Sequence, residues 1–97
     1  MVTYIILANF TDQGIRNIKD SPKREDAFRK LCEKVGAKVK DAYRTLGRYD
    51  VAAIVDAPDD VTMNVILYSL GSLGNIRTET LRAFTRQETD AALAKMA

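Results

Sequence analysis

The stretch Val2 to Phe10 is apolar on both strand parities. Val2, Tyr4, Ile6, Ala8 and Phe10 fall on one side, and Ile5 and Leu7 on the other. Successive strand residues point to opposite faces, so a run apolar on both is buried on both. It reads as the central strand of a sheet, and that sheet needs cover on each face. The chain has 97 residues, which makes one domain, residues 1–97, with a single modest core. Covering both faces with so little material is the tightest constraint on its fold.

After a turn from Asn9 to Gly14, Ile15 to Ile18 reads as a short helical turn. Ser21-Pro22 then predicts a helix start, with Ser21 as N-cap and Pro22 in the first helical position. Ala27, Phe28, Leu31, Cys32 and Val35 repeat at helical spacing, and Gly36 suits the left-handed residue past the helix end. Next come two strand-like runs, Ala37–Leu46 and Tyr49–Ala57, joined by Gly47-Arg48. A Gly-X pair suits a two-residue type II′ turn, because glycine accepts the positive φ of its first position.

That turn fixes a register: Leu46 opposes Tyr49, Thr45 opposes Asp50, Arg44 opposes Val51, Tyr43 opposes Ala52 and Asp41 opposes Ile54. Opposed residues share a face. One face then holds Ala42, Arg44, Leu46, Tyr49, Val51, Ala53 and Val55, a core surface with an arginine at its margin. The other holds Val39, Asp41, Tyr43, Thr45, Asp50, Ala52, Ile54 and Asp56. Lys38 and Lys40 are charges suited to an exposed sheet edge.

Beyond Pro58, Asp59 or Asp60 caps a second helix, Val61 to Leu70, apolar round most of its circumference and so covered on more than one side. Gly71 to Asn75 is a loop and Ile76 to Phe84 a fourth strand. Thr85-x-x-Glu88 is a capping box opening a C-terminal helix that turns Ala92, Leu93 and Met96 inward. The order is βαββαβ plus a helix: an α+β, ferredoxin-like chain whose two main helices cover one sheet face. The uncovered face calls for the sheet of an identical subunit, which makes a dimeric α+β barrel.

Composition narrows the chemistry. There is no histidine, so the commonest general base and metal ligand are both missing. The single cysteine, Cys32, offers neither a disulfide nor a thiolate cluster, and implies a reducing, cytoplasmic setting. No metal-ligand spacing and no cofactor signature are seen. A net charge of +2 is too mild for a nucleic-acid binder. The leading apolar run stops at Asn9, too short for a membrane span and unlike a signal peptide.

Several segments are similar to the GYD-domain family of small, mostly bacterial proteins. They are Thr11-Asp12-Gln13-Gly14, Lys19-Asp20-Ser21-Pro22, Val55 to Asp60, Gly71 to Thr78, and Thr80 to Phe84. The family's namesake tripeptide is represented by Gly47, then Tyr49-Asp50, with Arg48 interposed. The resemblance spans about the whole chain. It implies the dimeric α+β barrel fold, and it implies no activity and no catalytic residues.

The residues themselves offer two constellations. Asn9, Asp41, Tyr43, Thr45, Tyr49, Asp50 and Arg77 form a polar lining for a cavity on the concave side of the barrel. There a shielded Asp50 could serve as base, Tyr43 or Tyr49 as donor and Arg77 as anchor for a carboxylate or carbonyl. The competing reading pairs Asp50 with Arg48 or Arg77 and leaves Tyr43 filling the interface. Arg16, Lys19, Lys23 and Arg24 at the start of the first long helix are a candidate anion site, or else a solvated face balanced by Asp20, Glu25 and Asp26. The expected function is a homo-oligomer that binds a small molecule between sheet and helices. A cofactor-independent isomerase- or oxygenase-like enzyme and a structural assembly module are the alternatives.

Overall fold

The computed structural model describes residues 1–96. Four strands, β1 (Val2–Phe10), β2 (Lys38–Arg44), β3 (Val51–Ala57) and β4 (Ile76–Ala83), form one antiparallel sheet in the order β2-β3-β1-β4. The strand apolar on both parities is central, as its pattern requires. Helices α1 (Asp12–Arg16), α2 (Ser21–Lys34), α3 (Asp60–Ser72) and α4 (Arg86–Ala94) complete the chain, with a 3₁₀ turn at Ile18–Asp20. This is the expected α+β, ferredoxin-like arrangement.

The core lies between α2, α3 and one sheet face. Tyr4, Ile6, Ala53, Val55 and Ala57 from the sheet meet Cys32, Met63 and Ile66 from the helices. Val55 and Ile66 are fully buried, each worth about 1.5–3 kcal/mol by transfer from water. Tyr4 carries its hydroxyl through this core to donate to Asp60 at the start of α3. Burial, and then that hydrogen bond, push its pKa up to about 12.

The hairpin register holds from Arg44↔Val51 to Asp41↔Ile54, but the turn differs from expectation. The strands stop at Arg44 and Val51, and residues 45–50 form a longer loop. Thr45 N donates to Asp50 O at 2.9 Å, and Thr45 Oγ1 to Tyr49 O at 2.6 Å. Asp50 is drawn toward β1 instead: its N–H donates to Ala8 O, and its Oδ2 accepts from Phe10 N, both at 2.9 Å. Gly47 keeps a positive φ of 95°, while Leu46 is 100% exposed, so neither Leu46 nor Tyr49 closes the core.

A bulge at Lys40 changes the pairing so that Val39 opposes Val55 and turns into the core, not onto the other face as a regular strand would have it. Ser21 is not the N-cap. The 3₁₀ turn runs directly into α2, and Ser21 sits in helical geometry with its side chain buried. The capping box at Thr85 is present, with Thr85 N donating to Glu88 Oε1 at 3.0 Å. Helix α4 nonetheless buries none of its residues, and Leu93 and Met96 are exposed, not inward.

A seam ties the β1–α1 corner to the α3–β4 corner. Thr11 N donates to Asn75 O at 3.0 Å, and Thr11 Oγ1 to Gly74 O at 2.6 Å. Gly14 lies so close beneath this seam that a Cβ there would stand 2.0 Å from Asn75 O.

Candidate functional site

Small side chains leave room in the helix-covered half of the molecule. Ala42 and Ala53 oppose one another across β2 and β3, and Ala8 lies on the same face of β1. Above them, α2 and α3 bridge the gap with Phe28, Leu31 and Leu70. A cavity of about 330 Å³ results, at the lower end of the ~300–1,000 Å³ usual for small-molecule sites. Its interior is apolar.

The polar groups gather at its mouth. Arg44, the arginine at the margin of the core face, reaches back over β2 to α2. Its Nε and Nη2 donate to Ser21 Oγ at 3.1 and 2.8 Å, and Nη2 also to Ser21 O at 3.1 Å. Its Nη1 donates to Glu25, whose other oxygen accepts from Arg29 Nε at 3.1 Å. Arg44's hydrogen bond is the main cause holding the Glu25 carboxyl below its ordinary range, with Arg29 adding to it. One carboxylate thus stands between two guanidiniums. Arg24 also lines the cavity, with Nη1 on Asn17 O at 3.1 Å and Nη2 on Gly14 O at 3.2 Å.

The polar lining foreseen from the hairpin lies elsewhere. Asp41 and Tyr43 stand on the open sheet face of the edge strand β2, Tyr43 being 57% exposed. Asn9 and Arg77 are paired partners on the same face, across β1 and β4. Tyr49 also points to this face and donates to Glu79, which raises the pKa of its hydroxyl. Three strand spacings separate β2 from β4, about 14 Å. Asp41 and Tyr43 therefore do not converge with Arg77 on a compact ligand within one copy. Thr45 and Asp50 make the loop contacts already described, and Asp50 pairs with neither Arg48 nor Arg77 among the described residues.

Between these groups the open face is apolar. Ile5, Leu7, Ala52, Ile54 and Leu81 occupy adjacent positions on the face opposite the α2–α3 core, and none of them belongs to that core among the described residues. Of the proposed anion cluster, Arg24 is turned onto backbone carbonyls and Arg16 donates to Asp12 O at 3.3 Å. Lys19 and Lys23 are solvent-exposed. The four do not form a common cradle. Cys32 is fully buried, and burial pushes its thiol up to about 11.

Ser21, Glu25 and Arg44 escaped the sequence reading as site residues. A signal for them existed: the register places two alanines opposite each other beside an arginine on the core face. What it could not supply is how far α2 stands from that pair.

The chain resembles known proteins along nearly its full length. Residues 4–93 match the GYD domain family. A protein of Thermus thermophilus described as a glutamine synthetase and cystathionine beta-lyase binding protein is 33% identical over 84 residues, covering 86% of this chain and 88% of that one. Among solved structures, FFRP-DM1 superimposes with a TM-score of 0.63 at 21% identity, covering 87% of this chain and 100% of that one. TTHA0845, also from Thermus thermophilus, gives 0.55 at 25% identity, covering 88% and 95%. A hypothetical protein of Pyrococcus horikoshii, PHS023, gives 0.57 at 20% identity, covering 89% and 93%. Both FFRP-DM1 and PHS023 speak for the fold alone, but the match over residues 4–93 goes further: this chain belongs to the GYD domain family.

Proposed function

We propose that this chain is a homo-oligomeric binding protein that holds a small molecule between its sheet and its helices. The cavity over Ala42 and Ala53 is the observation that carries this reading, because interiors are otherwise close-packed. Self-association is supported by the uncovered apolar rows around Ile5, Leu7, Ile54 and Leu81, which a second sheet would bury. The lone buried thiol suits a cytoplasmic setting. No helix among the described residues is long and apolar enough to cross a membrane.

The test is a thermal-shift screen of a metabolite library against the wild type and Ala42→Leu. Compounds that raise the wild-type Tm and leave the filled variant unmoved support the reading. A screen without hits, together with an Ala42→Leu protein that is simply more stable, makes the cavity a packing defect. Light scattering addresses the oligomer: Ile54→Glu should convert the wild-type assembly to monomers, and a monomeric wild type would remove the barrel.

A second reading, a protein-binding adaptor, is favoured by the description of the Thermus relative and by one surface. Val61, Val65 and Tyr68 repeat at helical spacing on the outer side of α3, with Tyr68 73% exposed. Purified glutamine synthetase and cystathionine beta-lyase, passed over immobilised chain and its Tyr68→Ser variant, test it directly. The enzymatic reading with Asp50 as base stands lower, since one oxygen of that carboxylate is engaged by the Phe10 amide.

A further inference from the structure

We infer that the ligand of the helix-side cavity is a monocarboxylate with a compact apolar body, its carboxylate held at the mouth by Arg44 and Arg24. This deepens the small-molecule reading and rests on it. The interior, formed by Ile6, Ala53, Phe28, Leu31 and Leu70, offers apolar contact to a hydrocarbon or aromatic body. The mouth is different. Arg24 and Arg44 both line it, and Arg44 already shares the one lining carboxylate, Glu25, with Arg29 behind it, while Arg24 has no carboxylate partner among the described residues. A second carboxylate is what this imbalance accepts.

Donors for it are present. Arg24 spends one N–H of each terminal nitrogen on Asn17 O and Gly14 O, and its Nε has no partner among the described residues. Arg44 spends Nε and both N–H groups of Nη2 on Ser21, and one N–H of Nη1 on Glu25, which leaves the other Nη1 N–H. A guanidinium holds a carboxylate through charge-assisted bonds, stronger than those to a neutral hydroxyl. An amine in the same place would meet like charge. Glu25 is the built-in competitor, since it occupies Arg44 and repels an arriving anion.

The experiment compares 3-phenylpropionate, 3-phenylpropan-1-ol and 3-phenylpropan-1-amine, and a hexyl series with the same end groups, by isothermal titration calorimetry. The carboxylates should bind at least tenfold more tightly than the alcohols, and the amines more weakly than either. Arg44→Gln should bring carboxylate affinity down to that of the alcohol, which itself stays unchanged. Glu25→Gln should raise carboxylate affinity alone. If Arg44→Gln does not fold by circular dichroism, Arg24→Gln carries the same comparison. Alcohols and carboxylates binding equally well, both abolished by Ala42→Leu, would overturn the ligand class and leave the cavity reading intact. No binding by either series, or binding indifferent to Ala42→Leu, would overturn both.

Discussion

Asp50→Ala separates a structural from a chemical use of the most conspicuous carboxylate in the central loop. Its Oδ2 accepts from Phe10 N at 2.9 Å, at the end of the central strand. Alanine leaves that partly buried amide without an acceptor, while the backbone bonds Asp50 N to Ala8 O and Thr45 N to Asp50 O are retained. Stranding a buried donor costs about 1–3 kcal/mol. In a domain of this size each kcal/mol moves Tm by about 4–8 °C, so a loss near 2 kcal/mol is a fall of roughly 8–16 °C. Asp50→Asn keeps an amide oxygen in place and gives up only the charge assistance, about 1 kcal/mol. Urea unfolding followed by circular dichroism should show the midpoint falling in the order wild type, Asn, Ala, with the m-value constant. Amide exchange at Phe10 should accelerate in parallel. An Asp50→Ala protein with the wild-type midpoint and a protected Phe10 amide would refute the structural role, and lost ligand binding or turnover in that protein would give Asp50 back its chemistry.

Three further outcomes follow from the packing. Gly14→Ala puts a methyl 2.0 Å from Asn75 O, and either α1 or the β4 corner must move; overpacking and a strained Thr11–Asn75 bond predict a loss of about 2–4 kcal/mol in urea unfolding. Cys32, buried and with its thiol pushed up to about 11, should resist a disulfide reagent at pH 8 in the native protein and react fully in denaturant. Glu88 is held down to about 2, first by Arg82 and then by the Thr85 amide. A folded value below the ordinary 4.5 means its support for α4 is complete above that pH and disappears as pH falls toward about 2. NMR amide signals of α4 should fray across that window in the wild type, and Glu88→Gln should show the frayed behaviour already at neutral pH.

The fold was legible because its determinants are local or periodic. The two-sided apolar run of β1 placed it centrally, Thr85 and Glu88 announced their cap, and the 41–44 register followed from the distance to the turn. The misreadings share a cause: a partner remote in sequence. Asp50 is claimed by Phe10, forty residues earlier, and the two-residue turn opens into a loop. Ser21 is claimed by Arg44, which removes it from capping. Lys40 bulges and carries Val39 to the other face, a shift that no alternation of residue types records. A site between sheet and helices was expected, but its lining at Ser21, Glu25 and Arg44 was not, since it depends on how α2 and α3 stand over two alanines.

The central place of β1 also has a cost in time. It is synthesised before both of its neighbours, residues 51–57 and 76–83. At roughly 5–20 residues per second, β4 is completed about 4–15 seconds after β1. Throughout that interval this apolar strand has at least one edge unpaired, and its pairings are the long-range ones that close slowly. A nascent chain of this design therefore offers an early binding site to holding chaperones, and mutations that delay β3 lengthen the exposure without altering the finished molecule.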